Sequence, residues 1–209
     1  MITLRFAPML ALAAGLALPG LGRAAEPREA EAPPCCRKEL AAGEPTGASL
    51  YQLDSVWTSD VGKEVRLGVF RGRAQVVSFF FANCAYACPI TVEEMKRIEA
   101  ALPEAVRGKV DFILVTLDPE RDTVEALAKY RTQRQLGVGH WSLLRGGADD
   151  TRELAALLGV SYKRDGKGQF AHSNLISILN REGEVSGRLA GLHQDIPLAV
   201  EAVLKAAGE

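Results

Sequence analysis

Cys84 and Cys88 stand four residues apart in Ala82-Asn83-Cys84-Ala85-Tyr86-Ala87-Cys88-Pro89. Two thiols at that spacing are soft, anionic donors that either bind a metal or close a disulfide. The residues before them, Gln75-Val76-Val77-Ser78-Phe79-Phe80-Phe81, form an apolar run of strand length, so a buried strand is expected to feed the cysteine loop. Pro89 fits the first turn of a helix, where its missing N–H costs nothing. Cys88 is therefore expected at or near the helix N-cap. The positive end of the helix dipole favours a thiolate there, and cysteines so placed have pKa values of roughly 3.5–7.5.

A strand, a short cysteine loop and a helix resemble the active-site position of the thioredoxin superfamily. That superfamily usually carries Cys-x-x-Cys, whereas this chain has one more residue between the sulfurs. A disulfide needs Cβ atoms about 3.5–4.5 Å apart. A metal with bonds of about 2.3 Å to each sulfur bridges a wider gap and leaves room for a third ligand. The longer loop thus favours chelation without excluding a disulfide. The plainer alternatives are a structural disulfide or two unrelated buried cysteines.

Of the three histidines, His172 lies in Phe170-Ala171-His172-Ser173-Asn174, ahead of the apolar run Leu175 to Leu179. In a thioredoxin-like sheet that strand neighbours the one carrying the cysteine loop. The loop before it usually presents a cis-proline to the sulfurs. Here a histidine takes that place, and imidazole is a good ligand for copper or zinc. His140 and His193 read as ordinary surface residues.

The elements that must position these groups follow from periodicity and punctuation. Tyr51–Leu53 and Val65–Val69 read as short N-terminal strands, and a helix is expected from Pro89 to about Leu102. Val110–Thr116 is a second buried strand. Asp122 reads as the cap of the next helix, with Glu125 completing a capping box. Trp141–Leu144 is a short strand. Asp149 or Asp150 starts a helix that ends at Gly159. A turn at Asn180–Gly183 leads from the Leu175–Leu179 strand to Val185–Leu189. Asp195 and Pro197 open a last helix, Leu198 to Ala207. Strands alternating with helices, closed by a hairpin and a helix, make an α/β domain with a central mixed sheet.

The 209 residues suit one domain with extensions, and 47% hydrophobic residues permit an ordinary core. A net charge of −1, with Lys and Arg scattered, gives no case for nucleic acid or an anionic membrane surface. Arg5, the uncharged stretch Phe6 to Gly22 and the small residues at Gly22-Arg23-Ala24 read as a signal peptide over residues 1–24. An N-terminal anchor is the alternative, and Pro8 and Pro19 break the apolar run to signal-peptide length. Export places the domain where disulfides persist. Residues 25–47, rich in Glu, Ala, Pro and Gly, read as a flexible linker, and 48–209 as the folded domain. Cys35-Cys36 lie in that linker and either add metal or redox capacity or have neither role.

Three motifs in order, Cys84…Cys88-Pro89, Leu117-Asp118-Pro119-Glu120-Arg121-Asp122-Thr123 and His172-Ser173, resemble the SCO/SenC family of copper chaperones over roughly Leu50 to Ala207. The resemblance implies a thioredoxin-like fold with a hairpin insertion presenting the histidine, here expected from Gly159 to Gln169. It implies Cu(I) or Cu(II) held by Cys84, Cys88 and His172, with Asp118 lining the site or supporting it from behind. As a plain turn residue before Pro119, Asp118 would have no such role. The chain departs from familiar members at Ala85-Tyr86-Ala87, where they carry Pro-Asp. The implied function is an exported, periplasmic copper carrier serving cytochrome c oxidase assembly. Its partners would be a copper-accepting oxidase subunit or another cuproprotein, and another copper chaperone. The alternative is a thiol–disulfide oxidoreductase that uses Cys84 and Cys88 to reduce a partner's copper site.

Overall fold

The computed structural model describes residues 46–165 and 170–209. The expected signal segment, the linker and Cys35-Cys36 lie outside the described residues. In chain order the strands are β1 (Trp57–Ser59), β2 (Glu64–Val65), β3 (Ala74–Phe80), β4 (Val110–Thr116), β5 (Trp141–Arg145), β6 (Tyr162–Arg164), β7 (Phe170–His172), β8 (Leu175–Leu179) and β9 (Val185–Ala190). The helices are α1 (Ala87–Ala101), α2 (Glu104–Arg107), α3 (Val124–Arg134), α4 (Ala148–Leu158) and α5 (Ile196–Ala207).

Seven strands form one mixed sheet in the order β2-β1-β5-β4-β3-β8-β9, while β6 and β7 pair only with each other. Every residue of β3 and of β4 is buried, because helices cover both faces of the sheet. The period-two alternation of side chains divides them between two cores. Ala74, Val76 and Phe80 join Phe112 and Leu114 against Val92, Met95, Leu127 and Val203 of α1, α3 and α5. Val77, Phe79, Ile113 and Val115 face Leu154 and Leu158 of α4 on the other side. This is a thioredoxin-like arrangement, a central mixed sheet flanked by helices. No described helix is long and apolar enough to cross a membrane.

The topology gathers three loops at one end of the sheet. β3 and β4 run parallel, so the cysteine loop and the Leu117–Thr123 loop leave the same edge. β8 runs antiparallel to β3, with Ser78 opposite Ile176, so the segment entering β8 arrives at that edge too. The Ser78 hydroxyl donates to the Leu175 carbonyl at 2.9 Å and ties the two strands there. Ligand sites of open α/β sheets lie outside the carboxyl ends of parallel strands, and here His172 joins them from the antiparallel neighbour.

Several local expectations need correction. Residues Leu50–Gln52 form a 3-10 turn, not a strand, with the Ser49 side chain accepting from the Tyr51 N–H. The expected strand Val65–Val69 divides into β2 and a second 3-10 turn, Leu67–Phe70. Both apolar segments lie over the sheet as a lid on the second core, which local pattern cannot tell from strand pairing. The helix after β4 is capped by Thr123, whose side chain accepts from the Ala126 N–H; Asp122 has a different task. The hairpin runs from Tyr162 to His172, so the histidine is on its second strand instead of beyond it.

Candidate metal centre

The cysteine loop begins with a tight turn in which the Cys84 N–H donates to the Phe81 carbonyl at 3.1 Å. Asp122 holds this turn to the neighbouring strand. Its carboxylate accepts the Ala82 N–H at 3.0 Å and the Thr116 hydroxyl. Burial pushes the Asp122 carboxyl above its usual range, against the lowering effect of those two donors. Sequence alone had no signal for this anchor, since an Asp before a Thr at a helix start reads as a cap.

Helix α1 opens without a side-chain oxygen cap at Tyr86. The Cys88 N–H instead points at the Cys84 sulfur, 3.4 Å away. One helix-terminal donor that would otherwise lack an intrahelical partner is thereby directed at sulfur. Cys88, at the second helical position, is only 1% exposed. Burial pushes its thiol well above the normal range, with the hydrogen bond to Cys84 adding to the shift. This runs against the expectation of a helix-stabilised thiolate at Cys88, and desolvation by burial is the largest cause. Both cysteines are free thiols.

His172 closes on this pair from the hairpin. Its Nε2 lies 3.6 Å from the Cys88 Sγ. Its Nδ1 is 3.0 Å from the Ser173 carbonyl. A carbonyl only accepts, so Nδ1 carries the proton, and in the neutral ring Nε2 presents its lone pair to Cys88. The Phe81 ring meets the imidazole edge-on at 6.2 Å between centroids and packs on Phe170 at 5.5 Å. Bonds of about 2.3 Å to sulfur and about 2.0 Å to imidazole nitrogen would span such a separation near the tetrahedral angle.

The donor set has the right chemistry for a soft ion, yet it is not preassembled. Among the described residues no three His, Cys, Asp or Glu side chains are grouped to hold a metal. The close pairs are Cys84 with Cys88 and Cys88 with His172, so Cys88 is common to both. Cys84 is half-buried on an irregular loop, beside the exposed Tyr86.

Asp118 is 1% exposed and faces arginines, not sulfurs: its carboxylate accepts from Arg121 and, at 3.0 Å, from Arg164 of β6. Its link to the histidine runs through the hairpin. The other two histidines stand apart from the pair. His193 is exposed, with its backbone N–H donating to the Glu94 carboxylate. His140 is half-buried with an unpartnered Nδ1, so it is less of a surface residue than the sequence indicates.

A thioredoxin-like domain thus brings a Cys-x-x-x-Cys loop and a histidine hairpin to one end of its sheet. The SCO1/SenC family model matches residues 45–207, and the chain belongs to that family. It is 27% identical over 127 residues to the SCO1 protein homolog of Bacillus subtilis, a match covering 59% of this chain and 65% of that protein. The solved structure of Bradyrhizobium japonicum ScoI with copper bound superposes with a TM-score of 0.60 at 23% identity, over 73% of this chain and 94% of that one. BsSco, described with a disulfide switch and as a member of the Sco family of cytochrome c oxidase assembly proteins, superposes with a TM-score of 0.66 at 22% identity. That match covers 79% of this chain and 96% of its own. At those identities the two structural matches establish the fold.

Proposed function

We propose that this protein is an exported copper carrier that delivers copper to an oxidase site during cytochrome c oxidase assembly. Cys84, Cys88 and His172 hold the copper cargo. The observation that carries the reading is the 3.6 Å approach of the His172 Nε2 to the Cys88 Sγ, with Nδ1 occupied by a carbonyl. Two thiolates suit Cu(I), and the imidazole lets the same set accept Cu(II). Family membership and the copper-bound relative support the choice of metal.

Each thiol gives up its proton when its sulfur takes the metal, so loading releases protons. Cys84 turns from the helix terminus toward the other two donors to complete the set. Unloading is ligand exchange: a donor of the accepting cuproprotein replaces these ligands one at a time. Another copper chaperone would load the site. Residues 1–24 direct export to the periplasm, as a cleaved signal or as an anchor, and residues 25–47 link them to the domain.

A second reading has an observation of its own. Cys84 and Cys88 are both free, and the Cys88 N–H lies 3.4 Å from the Cys84 sulfur. As a thiol–disulfide oxidoreductase, one thiolate attacks a disulfide in the partner's copper site and forms a mixed disulfide. The other then displaces it, leaving two thiols on the partner and a Cys84–Cys88 disulfide here. His172 separates the readings, because the copper site needs it and the reductase does not. The test is an anaerobic Cu(I) titration of the purified, reduced protein, followed by Cu(II) spectroscopy. One tightly held copper per domain site supports the carrier; no tight binding, with rapid reduction of a disulfide substrate, supports the reductase.

A further inference from the structure

The hairpin that carries His172 packs Tyr162 and Phe170 on the cores but joins no strand of the main sheet. β6 and β7 share three residue pairs, Tyr162 with His172, Lys163 with Ala171 and Arg164 with Phe170, and neither strand pairs with the seven-stranded sheet. A two-stranded ribbon of this kind has marginal stability by itself. Arg164 fastens it near its far end. The guanidinium donates to Asp118 at 3.0 Å and to Glu120 at 3.0 Å, and stacks over the Phe170 ring at 5.1 Å. Phe170 and His172 share one face of β7, since they are two residues apart, and the Phe81 ring packs on both. A continuous path of contacts therefore runs from Asp118 through Arg164 and Phe170 to Phe81 and His172.

The anchor at the other end of that path is tied by backbone as well as side chain. Asp118 donates its own N–H to the Thr116 hydroxyl at 3.0 Å, and its carbonyl accepts the Arg121 and Asp122 N–H groups at 3.1 and 2.9 Å. Its buried carboxylate has two cationic partners, Arg121 and Arg164. This arrangement is asymmetric. If Arg164 leaves, Asp118 keeps Arg121, so opening does not strand an unpaired buried charge, which is the costly outcome for buried ion pairs. Arg164, with a side chain 44% exposed, regains water on leaving.

We propose that Arg164 is a positioning residue that latches the hairpin shut and so holds His172 against Cys88, and that release of this latch lets the imidazole leave while the two cysteines stay in place. This rests on the copper-carrier reading and assigns the order of ligand exchange within it: nitrogen first, sulfur after.

The test is a double-mutant cycle on the full chain with Arg164→Gln, His172→Ala and the pair together. Copper binding constants come from competition with chelators, using Cu(I) and Cu(II) alone as probes. Hydrogen exchange is read on the hairpin amides of the copper-free protein. Arg164→Gln is expected to weaken Cu(II) binding roughly 10-fold, the scale of outer-shell support, and to cost nothing further once His172 is gone. Arg164→Lys should recover part of the loss. Amides of β6 and β7 should exchange faster in Arg164→Gln, with β3 and β8 unchanged. An equal loss with and without His172 overturns the proposal, since Arg164 would then act through general charge or stability. Unchanged exchange in the hairpin also overturns it, whatever copper does. Failure of the parent to bind copper would refute the carrier reading by itself, and hairpin exchange would still decide the latch.

Discussion

The cysteine loop and the histidine hairpin meet at the same edge of the sheet but are built on opposite principles. Cys88 lies on a helix whose inner face, Val92, Met95 and Ile98, is buried in the main core. The loop before it is tied to β4 through Asp122. The hairpin has its own small sheet, half-exposed side chains and a charged fastening at Arg164. A metal carrier gains from this division. One side must hold donors through many cycles of loading, and the other must give way. Local opening free energies differ in this manner across one fold when buried contacts are unevenly distributed.

The largest effects should come from the cysteine side. Cys84→Ser and Cys88→Ser should each abolish tight copper binding, a loss exceeding the roughly 10–100-fold that outer-shell changes produce. Titration of both variants measures it, and unchanged stoichiometry and affinity in both would break the assignment. His172→Ala should weaken binding less, and the sulfur-to-Cu(II) charge-transfer band should shift or vanish while the melting temperature holds. A preserved spectrum with reduced thermal stability would make His172 structural and collapse the contrast between the two regions.

Asp122→Ala probes the cysteine loop without touching either sulfur. It leaves the Ala82 N–H and the Thr116 hydroxyl without their acceptor, at about 1–3 kcal/mol each in buried surroundings, and should lower the denaturation midpoint. A pH series sharpens this point. Burial raises the Asp122 carboxyl in the folded state above its ordinary value of 3.8. In the window from 3.8 up to the raised folded value, the native state holds more protons than the unfolded one. Its contribution to stability is therefore complete below that window and lost as pH rises through it. Asp122→Asn should flatten that component of the parent's pH–stability curve, and parallel curves for the two proteins would contradict it. The smallest effect is expected at Cys35→Ser/Cys36→Ser, which should leave the tight copper stoichiometry unchanged, because the proposed set of Cys84, Cys88 and His172 takes no donor from the tail. Loss of that copper in the double variant would show that the tail completes the site.

Much of this was legible in the residues. The strands Val110–Thr116 and Leu175–Leu179 match their apolar runs residue for residue. Gly159 closes α4 with φ of 81°, and Asp195 caps α5 through the Leu198 N–H, as their residue types indicate. Strand and cap signals are local, so periodicity and side-chain chemistry carry them. The order of cysteine loop, Asp118 loop and His172 along a β/α pattern was likewise readable, because parallel strands deliver their loops to one edge.

Other features depended on what lies far away in sequence, and no local pattern encodes that. Burial decided that Cys88 would be a raised thiol, although its place in the helix pointed the other way. The partners of Asp122, Ala82 and Thr116, and the pairing of Asp118 with Arg164 across 46 positions, exist because β3, β4 and the hairpin converge. Residue types and spacing thus named candidate donors for a soft metal. Desolvation and charge pairing, which are properties of assembled surroundings, decided how each donor is held.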